Sequence, residues 1–491
     1  MSAAWPIYIS FAGALAMLFT SKPAHSRALA LLTTIVGFLA ACGGAIQYGI
    51  GHDVSVVTKH PWIPALGIEY FLGVDGVSIA MILLTGVAAI AGVLFSWNIE
   101  HRIKEFFIFY LVLIGSVYGV FVSFDLFLLF VFYELVVVPK YFLIAIWGSG
   151  QREYAAMKLA LYSFVGSALI LAGLFAAFAV SGGKTFNLLE LAKYPFPETF
   201  QYWAFPLTFI GFAILAGLWP FHTWAPTGHA AAPTAGSMLL AGVVMKLGAY
   251  GAFRVAITLF PLGARAWQTE MALLAVIGIV YGASVALVQR DIKLVIGYSS
   301  VSHMGFVVLG LMTLNQLGLS GAVLQMFSHG ILGALLFAIA GRMVYARTHT
   351  RDLEEIERMR LGRLFPFAAG AFVLAAIASM GIPGFSGFVA ELSILGSAWN
   401  AFPTFAVVAG IGILIGLAFN LRAVQKVFYG PEIGGIPCPE TVPITIPERL
   451  GVALLITTSL VIGLAPERLI HLITSSFASP LFDALRKGVA L

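Results

Sequence analysis

Charge is what this sequence has least of. Only 10% of its 491 residues are Asp, Glu, Lys or Arg, while 60% are hydrophobic, and an ordinary soluble domain carries roughly 25% charged residues. With a mean hydropathy of +0.97, the chain is excluded from the soluble globular class and reads as a polytopic membrane protein. Its length would otherwise suggest about three soluble domains, but recurring apolar runs of roughly 20 residues replace that count. Cysteine is also scarce. Cys42 lies in an apolar run and Cys438 in a loop, with no CxxC or Cys/His cluster, so no Fe–S or zinc site is legible. Dinucleotide fingerprints, P-loops and hydrolase elbows are absent, which removes any readable redox or nucleotide chemistry. The net charge of +5 is scattered over short loops, which argues against nucleic acid as a partner. The first residues have neither the basic region nor the cleavage pattern of a leader and read as a first span.

Apolar runs fall near 5–20, 28–49, 74–96, 105–121, 124–147, 157–180, 204–221, 233–258, 271–289, 292–312, 317–345, 365–400, 403–427 and 449–465. This predicts an all-α membrane protein of about fourteen helices. The run 365–400 is too long for a simple span and is divided at Pro383-Gly384. Basic residues concentrate in alternate loops (Lys22/Arg27, Arg102/Lys104, Arg152/Lys158, Arg290/Lys293, Arg342 to Arg363, Arg422/Lys426). The positive-inside rule therefore puts the Arg342–Arg363 loop in the cytoplasm and both termini outside. Two spans, the seventh at Pro220 and the twelfth at Pro383, are broken by proline and flanked by ionisable residues. They lie five helices apart. Five is odd, so equivalent helices run in opposite directions, the pattern of an inverted repeat. The expected organisation is helices 1–3 in 1–100, a first repeat of helices 4–8 in 101–260, a second of helices 9–13 in 268–430, and a C-terminal loop, helix 14 and tail in 431–491.

Ionisable residues at membrane depth are costly and by default mark an ion or proton pathway. Lys246 is the clearest, flanked on both sides by apolar residues. Glu134 lies near mid-span, either functional or neutralised by protonation or a local donor. Asp125, near the outer end of the same span, reads equally as a helix N-cap. Lys140 follows Glu134 by six residues, ~9 Å along the axis and on another face. It either snorkels to the cytoplasmic end or is re-oriented by the break at Pro139. His222, His229, His303 and His329 suit a proton relay, whereas haem ligation would need paired histidines that do not appear. Glu391 follows the Pro383 break near mid-membrane, and Lys293 reads as an interfacial anchor. Pro220, Pro226 and Pro233 interrupt helix at a depth where broken backbone needs protein or a water-filled cavity to satisfy it.

Long segments in order carry a resemblance: FYELVVVPKYFLIAIWG (132–148), WPFHTWAPTGHAAAPTAGS (219–237), LAGVVMKLGAYGAFR (240–254), RDIKLVIGYSSVSHMGF (290–306) and GIPGFSGFVAEL (381–392). The chain resembles, over roughly residues 60–430, the antiporter-like membrane subunits of respiratory complex I, nearest to the M type, within the Mrp antiporter-related superfamily. The resemblance implies a proton-translocating subunit of an NADH:quinone oxidoreductase in the bacterial inner membrane, without redox chemistry of its own. FMN, Fe–S clusters and quinone would lie on partner subunits. Partners would be L-, N- and K-type neighbours and, through them, the peripheral redox arm, with lipid around. Glu134 matches the family's helix-five glutamate, Lys246 its central helix-eight lysine, His303 and His329 its polar-axis histidines, and Glu391 the acidic residue after the second break. The departures are specific. Leu215 stands where the helix-seven lysine is usual, Thr227 where aspartate is usual, and Lys140 where methionine is usual, so that Lys140 is expected to supply the charge lost at Leu215. Other readings are an Mrp-type cation/proton antiporter subunit, a relative recruited to a bicarbonate-uptake or hydrogenase complex, and a structural subunit whose first half-channel is altered or inactive.

Overall fold

The computed structural model describes residues 2–49, 51, 53–430 and 437–488; the part of the expected C-terminal loop at 431–436 lies outside the described residues. Apolar side chains run all round most of the helices, and in lipid only intrahelical hydrogen bonding satisfies the backbone. The helices are α1 (Trp5–Met17), α2 (Pro23–Tyr48), α3 (Gly76–Phe95), α4 (Ile103–Val122) and α5 (Leu126–Trp147). There follow α6 (Arg152–Val180), α7a (Glu198–Ala216) and α7b (Trp224–Ala231), then α8 (Thr234–Ile257). The second half holds α9 (Gln268–Val288), α10 (Ile292–Met312) and α11 (Gln316–Thr348). It closes with α12a (Pro366–Ser379), α12b (Ser386–Ala401), α13 (Pro403–Phe428), α14 (Ile446–Leu464) and α15 (Glu467–Ser476). Twelve helices are long and apolar enough to cross a membrane among the described residues. Proline opens α2, α12a, α13 and α14 in the first turn, where its missing N–H costs nothing.

Both expected breaks are present. α7a ends at Gly217 with φ +80 and α12a is followed by Gly381 with φ +69, left-handed positions that favour glycine. At Gly381 the space is also taken, because a Cβ would fall 2.5 Å from Glu391 Oε2. Gly381→Ala is therefore expected to cost at least about 1–2 kcal/mol, read as a lowered thermal midpoint of the purified assembly. α5 is interrupted at Val136, between Leu126–Leu135 and Val137–Trp147, because Pro139 has no N–H to return to the Leu135 carbonyl.

The two halves repeat one small device. Asp125 caps α5, accepting from Phe127 N and Leu128 N, and forms an isolated bridge with Asn187, which caps the short helix Leu188–Leu191. Asp291 caps α10, accepting from Lys293 N and Leu294 N, and forms an isolated bridge with Asp352, which caps Leu353–Arg358. Five helices separate the two arrangements. Asp125 is thus a cap, one of the two readings its sequence left open.

α8 and α11 are wholly enclosed over their most apolar windows and α3 nearly so, whereas α2, α13 and α14 are mostly exposed. α3 packs on both α8 and α11, giving a protein-filled centre with lipid-facing helices around it. An antiparallel hairpin, β1 (Ser55–Ile63) and β2 (Ile68–Val74), joins α2 to α3. The reading by long apolar runs passed over it, since strands of nine and seven residues fall below a 20-residue criterion.

Candidate functional site

Lys246 is fully buried in the middle of α8. A π-helical segment, Leu240–Val244, immediately precedes it, and such wide turns recur at functional sites. The Lys246 ammonium turns back into that segment and donates to the Ala241 carbonyl. It also lies 2.7 Å from His329 Nδ1 on α11. With the ammonium donating, Nδ1 accepts and the ring proton sits on Nε2, which is 3.1 Å from Ser300 Oγ on α10. The rings of His329 and His303 stack with centroids 5.3 Å apart. His303 Nδ1 is in turn 3.4 Å from Glu391 Oε1 on α12b, and Gln325 Nε2 donates to the same carboxylate oxygen at 3.4 Å. His303 Nε2 faces Ser379 Oγ at 3.3 Å. Four residues chosen from sequence, Lys246, His329, His303 and Glu391, are therefore brought into one line by four different helices. His303, Gln325, Ser328, His329 and Glu391 share a polar cavity, and His303 and Glu391 also line a second one toward α13.

Among the described residues no carboxylate forms an ion pair with Lys246, whose partners are an imidazole and a carbonyl. A proton can pass between such groups without two full charges being paired in a dry interior, which is costly.

Glu134 and Lys140 form a separate pair. Ser163 and Ser167 lie one turn apart on α6 and so share a face. Lys140 Nζ donates to Ser163 Oγ at 2.9 Å, and Ser167 Oγ donates to Glu134. The two charges lean on one serine rail without touching. Lys140 is 2% exposed, so it points into the protein and does not snorkel. Leu215 is buried where α7a meets α8, with Gly248 packed against its carbonyl carbon. Among the described residues, no hydrogen bond or ion pair joins the Glu134–Lys140 pair to Lys246.

The remaining histidines sit by the first break. Both ring nitrogens of His222 and of His229 are buried without a hydrogen-bond partner. His222 lies edge-on to Tyr281, and His229 stacks on Phe337 with centroids 4.8 Å apart. Lys293 corrects its expectation as an interfacial anchor. It is 2% exposed, its Nζ donates to Ala232 O at 2.8 Å, and it lies over the Tyr345 ring. The reason is tertiary: α7b ends against the start of α10 and covers it.

A fully enclosed ion pair in the centre was not foreseen. Arg254 holds Asp75 through two contacts of 2.6 Å, both side chains being fully enclosed, and donates to Tyr250 Oη at 3.1 Å. A basic residue in the last turn of a helix and an aspartate before a glycine are each ordinary, and only their meeting across 179 residues makes them notable. Among the described residues no group of His, Cys, Asp and Glu is arranged to hold a metal ion.

Residues 123–416 match the family described as NADH:quinone oxidoreductase/Mrp antiporter, TM. The chain is 35% identical over 449 residues, 90% of each chain, to NADH-quinone oxidoreductase subunit M of Rickettsia prowazekii. It is likewise 35% identical over 468 residues, 92% of this chain and 90% of the other, to the same subunit of Rhodobacter capsulatus. Its fold is similar to a chain of respiratory complex I from Thermus thermophilus with bound NADH, with a TM-score of 0.88, 28% identity, and coverage of 97% of this chain and 99% of that one. A chain of the Mrp complex from Dietzia shares the fold at a TM-score of 0.84 and 21% identity, covering 96% of each chain.

Proposed function

Because the chain belongs to the NADH:quinone oxidoreductase/Mrp antiporter transmembrane family, as an M-type antiporter-like membrane subunit of complex I, we propose that it carries protons across the membrane along Lys246, His329, His303 and Glu391. The single observation behind this reading is that those side chains lie next to one another through the enclosed centre, Lys246 2.7 Å from His329, the two imidazoles stacked and His303 3.4 Å from Glu391. Lys246 is the switchable carrier, the two histidines relay, and Glu391, facing a further cavity toward α13, is where the proton leaves the relay. Moving charge against the membrane potential costs ~2.3 kcal/mol per 100 mV. The drive comes from NADH–quinone electron transfer on partner subunits, which hold the FMN, Fe–S clusters and quinone.

Glu134 and Lys140 supply a charge pair whose state biases Lys246, with Lys140 replacing the cation absent at Leu215. We assign helices 4–8 (101–260) and 9–13 (268–430) as inverted repeats, supported by the paired breaks and by the matching bridges at Asp125 and Asp291. The subunit lies in the bacterial inner membrane with the Arg342–Arg363 face cytoplasmic and both termini outside. Its neighbours are the L-, N- and K-type subunits and lipid.

Lys246→Met in the assembled complex is the direct test. In sealed inverted vesicles, proton uptake per NADH oxidised through this subunit should fall below about a tenth, a loss of more than ~1.4 kcal/mol in the transfer step, while quinone reduction by detergent-solubilised complex persists. Undiminished proton uptake per NADH would remove Lys246 from the path.

A further inference from the structure

A cavity of about 210 Å³ opens on the face that carries the basic loops. Its walls come from the ends of α3, α5, α8 and α11, with Asn98, Ser149, Thr234, Arg342 and Tyr345 among them, and Lys293 lies at its inner wall. Lys293 is the one of these that leads inward. Its Nζ bonds the Ala232 carbonyl, at the end of α7b, and three residues earlier on that helix stands His229. The His229 ring is fully buried, stacked on Phe337, and neither nitrogen has a protein partner. The ring rests on Phe337 of α11, the helix whose His329 meets Lys246. Buried polar atoms are nearly always satisfied, by water where protein does not serve. An imidazole with two free nitrogens, one turn from the carbonyl that Lys293 bonds and against the helix that holds the partner of Lys246, is suited to pass a proton inward.

We propose that Lys293 and His229 form the proton-uptake route to Lys246 from the basic-face cavity. The step moves one proton and no electrons. A hydronium ion in the cavity gives its proton to the Lys293 amine and becomes water. The ammonium then gives that proton, through hydrogen-bonded water, to one ring nitrogen of His229, and the other ring nitrogen releases its proton toward Lys246 Nζ. Lys293 and the imidazole are neutral again, and Lys246 holds the charge. The charged neighbours of Lys293 are Asp291 and Arg351, which pair with each other at 3.1 Å. They leave Lys293 free of a fixed counter-ion that would trap the proton. This route does not pass Leu215, so the position where the resemblance expects a lysine can be apolar. The inference rests on Lys246 being the carrier.

The test uses the whole complex in sealed inverted vesicles, which expose the basic face. The native Cys42 and Cys438 are replaced by serine, and Ala346, half-buried on the cavity wall, is changed to cysteine (A346C). A cationic methanethiosulfonate should cut proton uptake per NADH at least about fivefold, with quinone reduction by the solubilised complex retained. A small neutral methylating reagent at the same thiol should have less effect. Lys293→Met should produce the same loss, and Lys293→Arg should not rescue it, because a guanidinium does not release its proton. If the modified A346C complex and Lys293→Met both pump at the unmodified level, the route is overturned. Lys246→Met measured in the same vesicles separates the two ideas: pumping lost in Lys246→Met but kept in both cavity variants leaves the carrier standing and sinks only the entry.

Discussion

Lys140→Met is expected to uncouple the complex, and moving the cation back, in Lys140→Met combined with Leu215→Lys, is expected to restore pumping in part. Lys140 sits in a low-dielectric place, 2% exposed and bonded to Ser163, with Glu134 held on the adjoining turn of the same face by Ser167. Glu134 is only partly buried and does not touch Lys140, so losing the ammonium removes a nearby favourable charge rather than stranding half of a buried ion pair. The first half of the chain then keeps Glu134 on Ser167 but no longer presents the Lys140 cation to the region of Lys246. Proton uptake per NADH should fall at least about fivefold, with quinone reduction by the solubilised complex close to that of the parent. The Leu215→Lys change places an ammonium on α7a, the helix that packs against α8, where the resemblance places the usual cation. Recovery in the double variant, with none in Leu215→Met as a control, would tie the effect to charge and not to volume. Full pumping in Lys140→Met alone would show that the serine rail carries a structural lysine only.

The second large effect belongs to the pair that no motif announced. Arg254→Met should lower the amount of assembled complex in the membrane and its thermal midpoint, because Asp75 is left as a buried carboxylate, about 3–5 kcal/mol of destabilisation. The pair ties the start of α3 to the end of α8, and Tyr250 reinforces it by donating from Oη to the Phe121 carbonyl at 2.9 Å. The C-terminal segment rests on the same place, with Ser476 Oγ accepting from Gly76 N at 2.7 Å and Phe253 stacked on Phe482. Asp75→Ala should behave like Arg254→Met. The double change Arg254→Met, Asp75→Met should recover most of the stability, since apolar replacement of a whole buried pair is commonly neutral or better. Failure of the double variant to exceed either single one, in blue-native gels and in thermal melts, would assign the loss to packing and not to the stranded charge.

These two cases also divide what a single chain discloses. Glu134, Lys246 and Glu391 stood out in sequence because a charge inside an apolar run is conspicuous at once, and the breaks at Pro220 and Pro383 because proline interrupts a helical pattern locally. Lys293 was misplaced for the complementary reason. It lies close to a loop, where sequence expects water, and only the docking of α7b over α10 encloses it. Asp125, with two readings in sequence, became a cap once the Asn187 loop was seen beside it.

By itself the sequence determined the solvent and the elements. A chain with so little charge must satisfy its backbone within helices, and its few ionisable groups at membrane depth must face protein. The order of those groups was left to the tertiary structure. Lys246, His329, His303 and Glu391 are far apart in the chain and belong to four helices, so the rotation and depth of each helix decide whether they form a line or four unrelated charges. Those settings come from packing between helices whose apolar surfaces run almost all round, and a surface without a distinct face carries no record in its own sequence of which neighbour it will meet.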